Sequence, residues 1–164
     1  MATTRVKRTF AIYRQEGKDG VIVDKTGAVG EAASQSYKIG APLEYTTGTI
    51  EALATGGADT GKVIGIAVKD ATAVTGAAVP YYEANDYNLF EGTLIATTSD
   101  HVLAVADIGT QYGILDSGTN WYVDKDNTSQ KKVVIVGCVD PIGDTNARVI
   151  FRFLGGMQDR VLQS

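Results

Sequence analysis

The chain reads as a series of short apolar pieces in which hydrophobic and polar positions alternate, separated by turn residues every 8 to 12 positions or roughly so. Phe10 and Ile12, with their neighbours Ala11 and Tyr13, predict a first strand; EGKDG (16–20) predicts a turn and VIVD (21–24) a returning strand, which together make a hairpin. TGAVGEAASQS (26–36) is small and polar and reads as a long loop or loosely packed connector. YKIG (37–40), PLEYTTGTIEAL (42–53) and KVIGIAVKDA (62–71) are the next extended pieces, with a Gly-rich turn at ATGGADTG (54–61). Ile64, Ile66 and Val68 share one face, while Gly65 and Ala67 leave the other open to close approach by another backbone. VTGAAVPYYEA (74–84) reads as a further β pair, its Pro80 placing that strand at an edge or bulge.

One segment carries a helical signal. In SDHVLAVADIG (99–109), Ser99 or Asp100 can cap the start and Gly109 stands where a left-handed residue ends a helix, which predicts two turns at most. YGILDSGTNWYVDKD (112–126) then predicts strand, turn, strand, and KKVVIVGCVD (131–140) and ARVIFRF (147–153) two more strands. In the last, Val149, Phe151 and Phe153 face one way and Arg148, Ile150 and Arg152 the other, the mark of a half-buried strand. Roughly nine to eleven such strands in one domain imply an all-β fold, a small β-barrel or β-sandwich with one short helix. Residues 1–36 divide off as an extended N-terminal arm, hairpin and connector, and residues 37–164 as the body, within a single domain overall.

Composition sharpens that expectation. Val, Ile and Thr number 17, 12 and 18 against only 8 Leu, and β-branched side chains favour pleated surfaces over helices. A chain of 164 residues suits one core, and 44% hydrophobic with 21% charged residues is ordinary for a globular body. The single cysteine, Cys138, excludes an intrachain disulfide and lies in the apolar run VVIVGCVD, where a thiol behaves as a small buried hydrophobe. No stretch approaches 18 consecutive apolar residues and MATTRVKR runs straight into alternating pattern, so no membrane span and no secretion signal are expected.

Charge is unevenly placed. Arg5, Lys7, Arg8 and Arg14 give the first 14 residues +4 with no acid, leaving −8 on the rest of a chain whose net charge is −4. Such a run is either an exposed strand guarded by basic side chains or an arm that docks on a neighbouring subunit, mobile in the free protein. The acidic body and the lack of a basic stripe interleaved with aromatics argue against nucleic acid as a partner.

Motifs with chemical content fail on context. Gly56 to Lys62 matches the G-x-x-x-x-G-K part of a phosphate-binding loop, but Val63 stands where Ser or Thr must hold magnesium, and VIGIAV predicts a strand where a helix is required. Asp124, Asp126 and Thr128 copy the opening of a calcium loop without its central Gly, and Ile135 occupies the place of its bidentate Glu, leaving a solvated hairpin tip. Asn127-Thr128-Ser129 fits a glycosylation sequon unsupported by a secretion signal. With His101 the only histidine and Cys138 in a buried-looking strand, no catalytic constellation converges; no enzyme activity, cofactor or metal is expected.

Tyr81, Tyr82, Tyr87 and Phe90 fall within ten residues, and Trp121 precedes Tyr122. Two readings fit them: a core with tyrosine hydroxyls at its edge, or anchors of a protein interface. With Arg5, Lys7 and Arg8 these aromatics are the candidate interface residues.

The order YKIGAPLEYTTGTIEAL, GKVIGIAVKDA, AVPYYEA, FEGTLIAT, VLAVADIGTQYGIL and GDTNARVIFRFL, over residues 37 to 154, resembles the capsid decoration (cement, head-stabilising) proteins of tailed bacteriophages. The arm and the connector at 26–36 fall outside it. The resemblance implies a structural virion protein on the outer surface of an assembled capsid, stabilising it commonly as a homotrimer, with the major capsid protein and its own copies as partners. It carries no active site. Alternatives from other classes are a tail or fibre-base subunit and a carbohydrate-binding β-sandwich module.

Overall fold

A computed structural model describes residues 1–14, 22–25, 30–54, 63–85, 88–97 and 99–154. Within them the chain forms β1 (Ala11–Arg14), β2 (Ile22–Lys25), β3 (Pro42–Thr46), β4 (Thr49–Ala52), β5 (Gly65–Ala67), β6 (Val79–Glu83), β7 (Leu89–Ile95), β8 (Gln111–Asp116), β9 (Trp121–Asp124), β10 (Val133–Cys138) and β11 (Arg148–Phe153). The protein is nearly all β, 43% strand against 2% helical, as the β-branched composition predicts.

Five strands close into a barrel in the order β7-β11-β10-β8-β9, and β9 returns to β7. Closure rests on the two edges of β7. One pairs antiparallel with β11 from Thr93 opposite Arg148 to Phe90 opposite Phe151. The other is shared: Leu94 and Ile95 pair parallel with Val123 and Asp124 of β9, while Leu89 to Glu91 pair with β1. Because closure leaves no free edge, the barrel strands can be short and still fully hydrogen-bonded. The alternation read in β11 holds, with Val149, Phe151 and Phe153 buried and Arg152 exposed.

The second sheet, β2-β6-β5-β3-β4, is antiparallel throughout. Gly65 lies so close to β6 that a Cβ there would collide with the Tyr82 carbonyl oxygen, so the close approach expected at Gly65 is made by a neighbouring strand. Both sheets feed one continuous core, in which Leu43, Ile50, Ile66 and Tyr81 from the second sheet join Phe90, Val123, Ile135 and Phe151 from the barrel.

Several expectations need correction. The β1–β2 hairpin does not form: β1 joins the barrel on β7 and β2 joins the second sheet on β6, while the turn EGKDG lies outside the described residues. Both strands before residue 37 are built into the body's sheets. The described part of the connector, residues 30–36, is not loose: Glu31 is buried, its backbone pairs with Ile50 of β4, and its carboxylate accepts from Thr72 N–H at 2.9 Å and Thr72 Oγ1 at 3.1 Å. PLEYTTGTIEAL is a hairpin and not one strand, turning at Thr47 and Gly48, whose φ values of 49° and 90° suit the primed turn that matches strand twist. YKIG turns instead of extending. The predicted helix at 99–109 shrinks to a single 3-10 turn at Val105–Asp107, and Val102, inside the expected helix, is extended in a bridge with Thr145. Cys138, expected buried, is half-buried at the end of β10.

Candidate interaction surface

Strand directions gather the β7–β8 and β10–β11 loops at one end of the barrel. Pro141 begins a turn in the second of these, with Gly143 at φ 96° and Asn146 at φ 54°, and this turn presents Asp144 and Thr145 to the incoming arm. Thr145 then bridges two segments at once, parallel to Thr4 and antiparallel to Val102. Arg5 N–H donates to the Thr145 carbonyl and Thr145 N–H to the Thr3 carbonyl, both at 2.8 Å.

Side chains reinforce that ladder. The Asp144 carboxylate, 2% exposed, accepts from Thr3 N–H at 2.8 Å and from Arg5 Nε at 2.7 Å, and Arg5 Nη2 reaches the same oxygen, a forked charge-assisted pair. The Thr3 bond, together with the hydrogen bond and charge of Arg5, holds the Asp144 carboxyl below its ordinary value against burial and the charge of Asp140. Asp140 is buried, which by itself would raise it, but hydrogen bonds from the Arg148 guanidinium and backbone outweigh burial and lower it. Arg148 also reaches Glu91 at 3.4 Å. Lys7 Nζ meets Asp100 at 3.0 Å, and Asn146 Nδ2 donates to the same carboxylate oxygen at 3.0 Å. Arg8 donates its N–H to Thr93 Oγ1, and its side chain is exposed.

The β7–β8 loop buries a further carboxylate. Asp107 accepts from Ala104 N–H at 2.8 Å and from Tyr112 OH at 2.8 Å, and its Oδ2 stands 2.9 Å from His101 Nε2. These bonds overcome burial and hold Asp107 below its ordinary value, while burial and the Asp107 bond push the Tyr112 phenol up to about 12. Every oxygen of Asp107 is committed to fixing the loop.

Around the docked arm, apolar side chains face solvent: Val6 is 79% exposed and Val105 74%, with Val102 and Ile142 also exposed. A polar cleft of about 260 Å³ lies elsewhere, between the 34–38 segment and the β8–β9 turn, with Gln35, Tyr37, Asp116 and Trp121 among its lining residues.

The sequence-predicted site residues separate. Arg5 and Lys7 turn onto acids of their own chain. Phe90, Tyr81 and Trp121 are 0%, 3% and 5% exposed and thus belong to the core, which corrects their assignment as surface anchors; alternation on β6 and β7 points Tyr81 and Phe90 inward, and Trp121 opens β9, whose four residues are all buried. Phe90 is one of four packed phenylalanines, with centroid distances of 5.1 Å to Phe153 and 6.0 Å to Phe151. Tyr82 is half-buried against the core, and Tyr87 lies outside the described residues. Asp100, Asp140, Asp144 and Asn146 escaped notice because Asp and Asn in turns are expected to bond their own backbone. The basic run before an acidic body was the available signal. Of the failed motifs, the strand at Gly65–Ala67 occupies the place where a phosphate loop needs its helix, and Asp124 is buried, binding Thr97 N–H at 2.8 Å and Thr97 Oγ1 at 2.9 Å.

Comparison with protein-family models, with curated proteins and with solved structures finds no match.

Proposed function

We propose that this protein is a structural, non-enzymatic subunit that binds the outer surface of an assembled phage capsid and stabilises it as a homotrimeric cement protein. The observation that carries the reading is the arm-bearing end of the barrel, where Val6 of the ion-paired arm and Val102, Val105 and Ile142 of the adjoining loops are exposed. An exposed apolar set rimmed by charge is the composition of a contact surface. The resemblance of residues 37 to 154 to decoration proteins supplies the partner, the major capsid protein. A shell repeats one site many times, so modest contacts add through multivalency.

A ligand that binds only the assembled state stabilises it by about 2.7 kcal/mol per site at a hundredfold excess over Kd. Stripped shells should therefore melt at lower temperature than shells reconstituted with the purified protein, and a scan of both tests it. Identical melting removes the capsid role.

The polar cleft beside Trp121 favours the second reading, a carbohydrate-binding module. Saturable binding of free sugars by the isolated protein, abolished by Asp116→Ala, would install that reading in place of the first.

A further inference from the structure

We propose that residues 1–8 are exchanged between copies of this chain, the arm of one subunit occupying the Asp144 dock of its neighbour. The inference deepens the homotrimer reading above and rests on it only for the number of copies.

Four features of the dock lead there. Among the described residues the hydrogen bonds and ion pairs of residues 3 to 8 go to Thr93, Asp100, Asp140, Asp144 and Thr145, Val6 projects into solvent, and the first buried apolar side chain is Phe10. An element without an apolar anchor opens at low free energy, and opening is the first step of an exchange.

The dock, in contrast, stands without the arm. Val102 bridges Thr145, Asn146 Nδ2 ties Asp100, Asn146 N–H binds the His101 carbonyl, and Arg148 holds Asp140. The receiving shape therefore survives departure of its ligand.

An empty dock is unfavourable. The hydrogen bonds that the Asp144 side chain accepts among the described residues come from Thr3 and Arg5, both of the arm. Their loss takes from Asp144 its hydrogen-bond donors and its counter-charge beside Asp140, and a segment of the same chemistry restores both. That ligand is an extended backbone with a cation at the Arg5 position, and another copy of this arm supplies it at no change in contacts.

Finally, docking within one chain leaves Val6, Val102, Val105 and Ile142 uncovered, whereas a neighbour that lends its arm brings its own barrel against them. With Arg5 seated in a neighbour's dock and Phe10 held in its own core, the five-residue step between them spans roughly 17 to 18 Å, so exchange brings the two barrels into direct contact.

Cross-linking decides between self-docking and exchange. Thr4→Cys and Thr145→Cys, placed in a Cys138→Ser chain, put one thiol on the arm and one on the bridge opposite it. After oxidation with a glutathione couple, exchange gives covalent oligomers on a non-reducing gel, and self-docking gives only monomer, which overturns the proposal. Should no disulfide form, light scattering of the unmodified chain and of a chain lacking residues 1–8 replaces it. A drop from oligomer to monomer on deletion supports exchange, and an unchanged mass, or a full-length monomer, overturns it. No shell enters the experiment, so arms that exchange in a protein that ignores capsids would sink the virion role and leave this inference standing.

Discussion

Gly92 shows how one absent methyl sets the barrel's dimensions. A Cβ at this position on β7 would stand 2.5 Å from Phe10 Cδ1 and 3.2 Å from Phe151 Cε1, two rings whose centroids are 4.9 Å apart. Phe10 is the residue that fixes the root of the arm, so crowding it disturbs both core and interaction face. Gly92→Ala is expected to cost about 1 to 3 kcal/mol, the usual range for overpacking. Urea titration should show a lower midpoint with an unchanged slope, and an unaltered midpoint would mean that the ring cluster can shift to make room. Asp144 poses the opposite case, a carboxylate whose neutralisation comes from the arm. Asp144→Asn keeps the shape but removes the charge that Arg5 answers, and its expected result is faster proteolysis within residues 1–8 with the barrel itself intact. Equal cleavage rates in the two proteins would show that the backbone ladder to Thr145 suffices alone.

The elements differ in how plainly the sequence announced them, and the difference has a physical cause. β10 and β11 were legible because their inner positions alternate against one core, and period-two patterning is a local property; β7, buried along its last four residues, offered no such alternation and was not read as a strand. Pairing is not local. β1 and β2 sit close in sequence with a turn between them, yet hydrogen-bond partners on β7 and β6 separate them into two sheets. The 3-10 turn at Val105–Asp107 is a similar loss: Val102 is extended in its bridge with Thr145, and Asp107 folds back on Ala104 N–H. The docking face was the least legible part, since recognising it requires knowing that residue 5 meets residue 144. Its aromatic candidates Tyr81, Phe90 and Trp121 failed because the strands that carry them bury them in the core. Asp124 offers a test at this scale. It ends β9 and binds Thr97 N–H, Thr97 Oγ1 and Asp126 N–H, so it locks the turn that leads from β7 to the docking loops. Asp124→Ala should destabilise the protein by about 2 to 3 kcal/mol, the range for hydrogen bonds to a charged group. Thermal melts measure it; a loss under half a kilocalorie, roughly the level of a neutral surface change, would show the lock to be redundant.

For the whole molecule, the carboxylates at the docking end tie stability to pH. Asp107, Asp140 and Asp144 are all held below their ordinary values when folded, so between those values and the unfolded value near 3.9, or about so, the unfolded chain binds more protons than the folded one. Their stabilisation is thus fully present above the unfolded value and drains away as pH falls through the folded ones. Tyr112 works from the other side. Its phenol is pushed up to about 12, so its contribution is complete below roughly pH 10, the unfolded value, and is lost as pH climbs through the folded one. The expected profile is a broad plateau bounded by an acid limb below about pH 4 and an alkaline limb above about pH 10. Tyr112→Phe should make the alkaline limb shallower without abolishing it, because burial and Glu31 also push the Tyr37 phenol up, and should leave the acid limb in place. Asp144→Asn should soften the acid limb, and high salt should do the same by screening the exposed part of the Arg5 and Lys7 pairs. Thermal midpoints measured from pH 2.5 to 11 in both variants carry the comparison. If the acid limb of Asp144→Asn overlays that of the parent, the docking ladder contributes nothing to acid sensitivity, and the carboxylates of Asp107 and Asp140 carry it instead.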